Sequence, residues 1–130
     1  MSIQGVTVFG RTRVRSATGS GGVFCHALEA QDNQTGCLRF CSFAPENNRL
    51  PQNFGCVTGV ELQFTATTFG TPGYGQLSLD SDASVLEKGP GSDEMGAFGF
   101  LLNSHKWRNL QIRFREFMPA GIRPVVVPVT

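Results

Sequence analysis

Residues 6–43 read VTVFGRTRVRSATGSGGVFCHALEAQDNQTGCLRFCSF. Val6 and Val8, then Thr12 and Val14, alternate with polar or small residues on either side of Gly10, the period-2 pattern of two short strands. Thr18 to Gly22 is a Gly/Ser-rich break, residues 23–30 form a third extended stretch, and Asp32 to Gly36 is a polar turn before residues 37–43. Turn-rich strands recurring every roughly 15 to 20 residues predict the coils of a β-solenoid. A single coil cannot bury its own apolar face, so neighbouring coils must cover it. On this reading the first 43 residues hold one or two coils.

Working outward, residues 45–55 are polar, with Pro45, Pro51 and three Asn, and read as a long connection. Val60, Leu62 and Phe64 then alternate with Glu61, Gln63 and Thr65, which predicts a half-buried strand. A Pro-Gly turn at 72–73 leads into a short strand over Gln76 to Leu79. Residues 83–88 predict a short helix. Trp107, Leu110, Phe114, Phe117 and Met118 fall on one side of a longer helix, capped by Asn103 or Ser104 and ended by Pro119 and Gly121. The tail PVVVPVT, residues 124–130, is β-branched but broken by Pro124 and Pro128, so it predicts an edge strand or an extended arm. Val125, Val126 and Val127 are its candidate contact residues. The predicted fold is a mainly β single domain over 1–130. Solenoid-like strands occupy 1–43, a β-rich middle 44–102, and an amphipathic helix packed on the strands, with the tail, 103–130.

Composition narrows the classes. The chain has 130 residues, 16 Gly and 7 Pro, only 16% charged residues and a net charge of +1. One domain is the natural size. The near-neutral balance argues against nucleic acid, and no apolar run approaches the ~18 residues of a membrane span. No basic start followed by an apolar stretch marks a secretory signal, so a cytoplasmic or particle-associated location is expected.

Three groups of side chains bear on chemistry. Cys25, Cys37, Cys41 and Cys56 are spaced C-x11-C-x3-C-x14-C, with His26 beside the first. Zinc sites favour tight C-x2-C knuckles; structural disulfides and small buried hydrophobes are the other readings. A cysteine- or metal-based hydrolase using His26 or His105 is a rival, although adjacency puts Cys25 and His26 on opposite faces of a strand. The acidic residues Asp80, Asp82, Asp93 and Glu94, with Glu87, sit among turn formers and lack a complete calcium-loop pattern. Arg11, Arg13 and Arg15 project from one face of a strand, either to meet carboxylates or phosphates or to keep an edge from aggregating. Lys106, Arg108, Arg113 and Arg115 form a second basic group. Charge of both signs, separated along the chain, suits the registration of subunits. Eleven Phe against one Tyr and one Trp favour core and interface area over sugar platforms, with Tyr74 and Trp107 as the residues that keep a glycan-binding tip open. No cofactor is implied.

Residues 36–56 (GCLRFCSFAPENNRLPQNFGC), 69–79 (FGTPGYGQLSL) and 91–102 (GSDEMGAFGFLL) resemble a C-terminal module of large bacterial proteins with β-helix repeats, some associated with phage-tail-like contractile injection systems. The resemblance spans roughly residues 5–118 and is sharpest at Gly36, Cys37, Arg39 and Phe40, at Pro72 to Leu77 and at Ser92 to Phe98. Two departures stand out: Gly99 replaces a His or similar polar residue, and the final helix is basic rather than acidic. With room for about two coils from Met1, the chain reads as a short relative or a piece of something longer, its open solenoid end capped by another subunit. The resemblance implies a structural, non-enzymatic protein acting through self-association and contacts with other structural subunits.

Overall fold

In the computed structural model, which describes residues 1–122, the chain from Ser2 to Thr58 winds through about four turns of a parallel β-solenoid. The strands are β1 Ser2–Gln4, β2 Thr7–Val8, β3 Thr12–Val14, β4 Thr18–Ser20, β5 Val23–Phe24, β6 Leu28–Ala30, β7 Cys37–Arg39, β8 Ser42–Phe43, β9 Gln52–Phe54 and β10 Val57–Thr58. They stack as three parallel sheets, β1-β4-β7-β9, β2-β5-β8-β10 and β3-β6. The third is prolonged by a bridge between Glu29 and Arg49. Ser2 lies beside Thr18, Gly19 beside Leu38 and Cys37 beside Gln52, steps of 16, 19 and 15 residues. The longest coil takes its extra length at the corner after β6, where the Asp32 carboxylate accepts from the Gln34 N–H at 3.1 Å and from the Thr35 hydroxyl at 2.7 Å.

The solenoid therefore runs further than residues 6–43 predict, and two segments read as breaks belong to it. The Gly/Ser stretch forms β4 because Gly19 lies against Ile3 at φ +136°, where an added Cβ would stand 1.9 Å from the Ile3 carbonyl oxygen. Only glycine permits that approach. The polar connection contributes β9, which pairs with β7 over Cys37–Gln52 to Arg39–Phe54.

Inside the coils Ile3, Ala17, Phe24, Leu28, Leu38, Cys41 and Phe43 form one buried cluster. Phe24 and Phe43, on adjacent rungs, stack with ring centroids 5.8 Å apart. A second cluster, Val23, Leu77, Val85 and Met95, joins residues 59–102 to the outer face of β5. Backbone bonds fasten this cover: Gly96 N–H donates to Gly21 O at 2.7 Å and Ala97 N–H to Thr7 Oγ1 at 3.0 Å.

The strand predicted at Val60 to Thr65 does not form. Val60, Leu62 and Phe64 do turn toward the second cluster, but the segment has isolated bridges only, Phe64 with Leu77 and Ala66 with Tyr74. Two backbone bonds frame the first bridge, Thr65 N–H to Gln76 O at 2.8 Å and Ser78 N–H to Gln63 O at 2.7 Å, and beyond it a side chain takes over: Gln63 N–H donates to Ser81 Oγ at 3.0 Å, and Ser81 Oγ donates to Gln63 O at 2.8 Å. The Gln76 to Leu79 strand is likewise reduced to the bridge at Leu77. Helix α1, Ala83–Glu87, follows Asp82, whose carboxylate accepts from Ser84 N–H. Helix α2, Asn103–Phe117, matches the predicted span, but Asn103 and Ser104 do not cap it; Leu102, at φ 54°, precedes it with no side-chain cap bond. No helix among the described residues is long and apolar enough to cross a membrane. Val125, Val126 and Val127 lie outside the described residues.

Candidate functional site

Helix α2 is the longest element among the described residues and lies largely open to solvent. No residue of its fifteen is buried. Its first turns are anchored: His105 Nε2 lies 3.3 Å from Gly91 O, and Arg108 lies 3.5 Å from the Glu87 carboxylate. From Arg108 to Phe117 only Phe114 is better than exposed. The predicted apolar side exists but is covered only in part: Trp107 and Phe114 are half-buried, while Phe117 is 80% exposed and Leu110 and Met118 are open to solvent as well. Phe100, Leu102 and Ile122, before and after the helix in sequence, are exposed too.

Between α2 and the body lies a cavity of about 580 Å³. Trp107 and Phe64 supply aromatic walls, Gln63, Asn103 and Lys106 polar ones, and Asp80 and Glu94 carboxyls. Glu94 is only 4% exposed. Burial pushes its carboxyl up to about 7, against a smaller opposing pull from the Leu77 N–H, and the neighbouring Asp93 charge adds to the rise. Glu94 is therefore set apart from its acidic neighbours Asp80 and Asp82, which are exposed.

The arginine row is exposed as its alternation predicts, yet two of its members are engaged within the chain. Arg11 is paired with Glu29, and Arg13 Nε donates to Glu29 Oε2 at 2.8 Å. Arg15 acts on Asp32 through charge. Tyr74 belongs to an aromatic cluster, 5.4 Å from Phe9 and 5.5 Å from Phe69 between ring centroids, and is not among the residues lining the cavity. His26 and Cys25 share a shallow groove with Arg11 and Glu46.

All four cysteines are free thiols. Among the described residues no three His, Cys, Asp or Glu side chains gather where they could hold one metal ion. Cys41 and Cys56, however, meet on adjacent rungs, with Cys41 N–H donating to Cys56 Sγ at 3.4 Å. Their 15-residue separation equals the step between the third and fourth coils, a signal present in the spacing once the coil length is known.

No protein-family model matches the chain, and no match was found among curated proteins or solved structures.

Proposed function

We propose that this protein is a structural, non-enzymatic subunit of an extended bacterial or phage-tail-like particle, and that it self-associates through the exposed side of α2. The observation that carries this reading is a fifteen-residue helix with no buried residue and Phe117 80% exposed. Contiguous apolar surface of this kind marks interaction sites. A second copy of the chain is the occupant that the charge pattern fits. Arg113 and Arg115 flank the apolar side of α2, while Asp80 and Asp82 are exposed on the body. The resemblance of residues 36–56, 69–79 and 91–102 to a module of β-helix-repeat proteins supports the particle setting, and the sheets are open at β1 and at β9 for end-to-end stacking.

Light scattering coupled to size exclusion tests this. The full-length chain is expected to associate with rising concentration, and the double variant L110D/F117D to elute as a folded monomer with unchanged circular dichroism. A wild-type chain that stays monomeric at high concentration removes the proposal.

A second reading, a glycan-binding tip, is favoured by the cavity alone. Trp107 beside Gln63, Asn103 and Asp80 offers a stacking face with amide and carboxyl groups at its margin. A glycan array on wild type and on W107A separates the two, since only the tip reading expects Trp107-dependent binding.

A further inference from the structure

Ser42 and Val57 pair in register between the third and fourth coils, which places Cys41 and Cys56, each one residue earlier, at the same corner of adjacent rungs. Cys41 is fully buried, and its sulfur accepts from Gly22 N–H at 3.4 Å and lies 3.2 Å from Arg39 O. Cys56 is half-buried and directs its thiol toward Leu38 O at 3.5 Å. Parallel strands run about 4.8 Å apart, inside the roughly 4.4–6.8 Å Cα separation that a disulfide spans. Neither other cysteine has such a neighbour: Cys37 lies beside Gln52 in register, and Cys25 lies beyond the end of β5.

From this geometry we infer that Cys41 and Cys56 are an oxidative modification site, closing to an inter-rung disulfide when a low-molecular-weight disulfide such as oxidised glutathione is present. Cys56 is the entry point because it alone of the pair reaches solvent. The Cys41 thiol, by donating to Cys56, draws the Cys56 thiol down to about 7; that same bond and burial push Cys41 up. The thiolate is the attacking species, so this asymmetry assigns the order of events.

Cys56, having lost its proton to solvent, forms a bond to one glutathione sulfur; the glutathione S–S bond breaks and the first glutathione thiolate leaves and is protonated. Cys41 then gives up its proton, its sulfur attacks Cys56 Sγ, and the second glutathione leaves as a thiolate and is protonated. The two protein thiols are oxidised by two electrons in all, and one small disulfide is reduced to two thiols. The product ties the third coil to the fourth.

The test is to equilibrate the full-length chain with mixed oxidised and reduced glutathione, quench with acid and map tryptic peptides without reduction. Cleavage at Arg15, Arg39, Arg49 and Lys88 puts Cys41 in residues 40–49, Cys56 in 50–88, and Cys25 with Cys37 in 16–39. The expected result is 40–49 joined to 50–88, about 2 Da lighter than the sum of the two thiol peptides and free of glutathione, with an unfolding midpoint raised by roughly 5–10 °C. In C56S, Cys41 is expected to stay reduced. A stable glutathione adduct on Cys56, linkage through residues 16–39, no oxidation at all, or equally ready oxidation of Cys41 in C56S would each overturn the inference.

Discussion

Arg13 and Glu29 stand opposite each other in register on adjacent rungs, and Arg13 Nε donates to Glu29 Oε2 at 2.8 Å while Arg11 holds the other carboxylate oxygen. One carboxylate thereby neutralises half of the charge that two alternating arginines would bring together at β3. Cross-strand pairs of opposite charge favour one register over its slipped alternatives. The pair thus links the arginine row to the stacking of the coils rather than to a partner alone.

The hydrogen bond from Arg11, followed by the charges of both arginines, holds the Glu29 carboxyl below its ordinary value of 4.5. A depressed carboxyl contributes stability that is present above the ordinary value and is lost as pH falls through the lowered one. Glu29→Gln is therefore expected to flatten the acid limb of the stability curve, leaving the variant less sensitive than wild type as pH is lowered from 4.5. Thermal melts across that range check it; equal acid sensitivity in both proteins would refute the assignment.

Gly19 and Gly10 make a matched pair. An alanine methyl at Gly19 would meet Ile3 O at 1.9 Å in a left-handed backbone, whereas nothing lies within 4 Å of a Cβ added at Gly10. G19A is expected to cost about 2–4 kcal/mol, with β1 released from β4, and G10A to stay within about 0.5 kcal/mol of wild type. Urea unfolding of the two variants, with amide exchange over residues 2–4, measures both effects.

The same glycine shows where the sequence stops being readable. Alternation at Val6, Val8 and Val14 reports which side of the chain meets the core, and it did so again at Val60, Leu62 and Phe64. It does not report whether a neighbouring strand exists, so 60–65 reads as a strand while lacking a ladder. Gly19 and Ser20 resemble a turn because glycine's usual role hides its other one, the close approach of two backbones. Gln52, Asn53 and Phe54 are all exposed at the end of the coil stack, and no apolar pattern could mark them. The α2 stripe is plain from its period, but a period cannot say what covers it. Glu94 reads as one more member of the acidic patch because its neighbours in sequence, Ser92 and Asp93, are turn formers; the group it meets in the fold, the Leu77 N–H, is remote along the chain.

Phe24 is wholly buried and stacks on Phe43 with centroids 5.8 Å apart, bridging the second and third coils. Phe24→Ala is expected to remove about 3–5 kcal/mol, and Phe24→Leu clearly less, because leucine keeps much of the buried volume. Chemical denaturation gives both numbers. Similar losses for the two substitutions would mean that the ring pairing, not volume, holds these coils together.

Glu94 carries the opposite pH signature from Glu29. Its carboxyl is raised from 4.5 to about 7 by burial first and by the Asp93 charge after it. The folded state then keeps its proton where the unfolded chain has released it, so the stabilising contribution is complete below 4.5 and is lost as pH rises through about 7. Glu94→Gln preserves the shape and the acceptor facing the Leu77 N–H but cannot ionise. It is expected to be close to wild type in acid and more stable by roughly 1–3 kcal/mol at about pH 8. Because burial is the larger cause, D93N should leave most of the rise in place. Carbon-detected titration of the Glu94 carboxyl in wild type and D93N decides the matter: a midpoint in the ordinary carboxylate range would mean that water fills the space beneath α2, and a return to that range only in D93N would make the neighbouring charge, not burial, the cause.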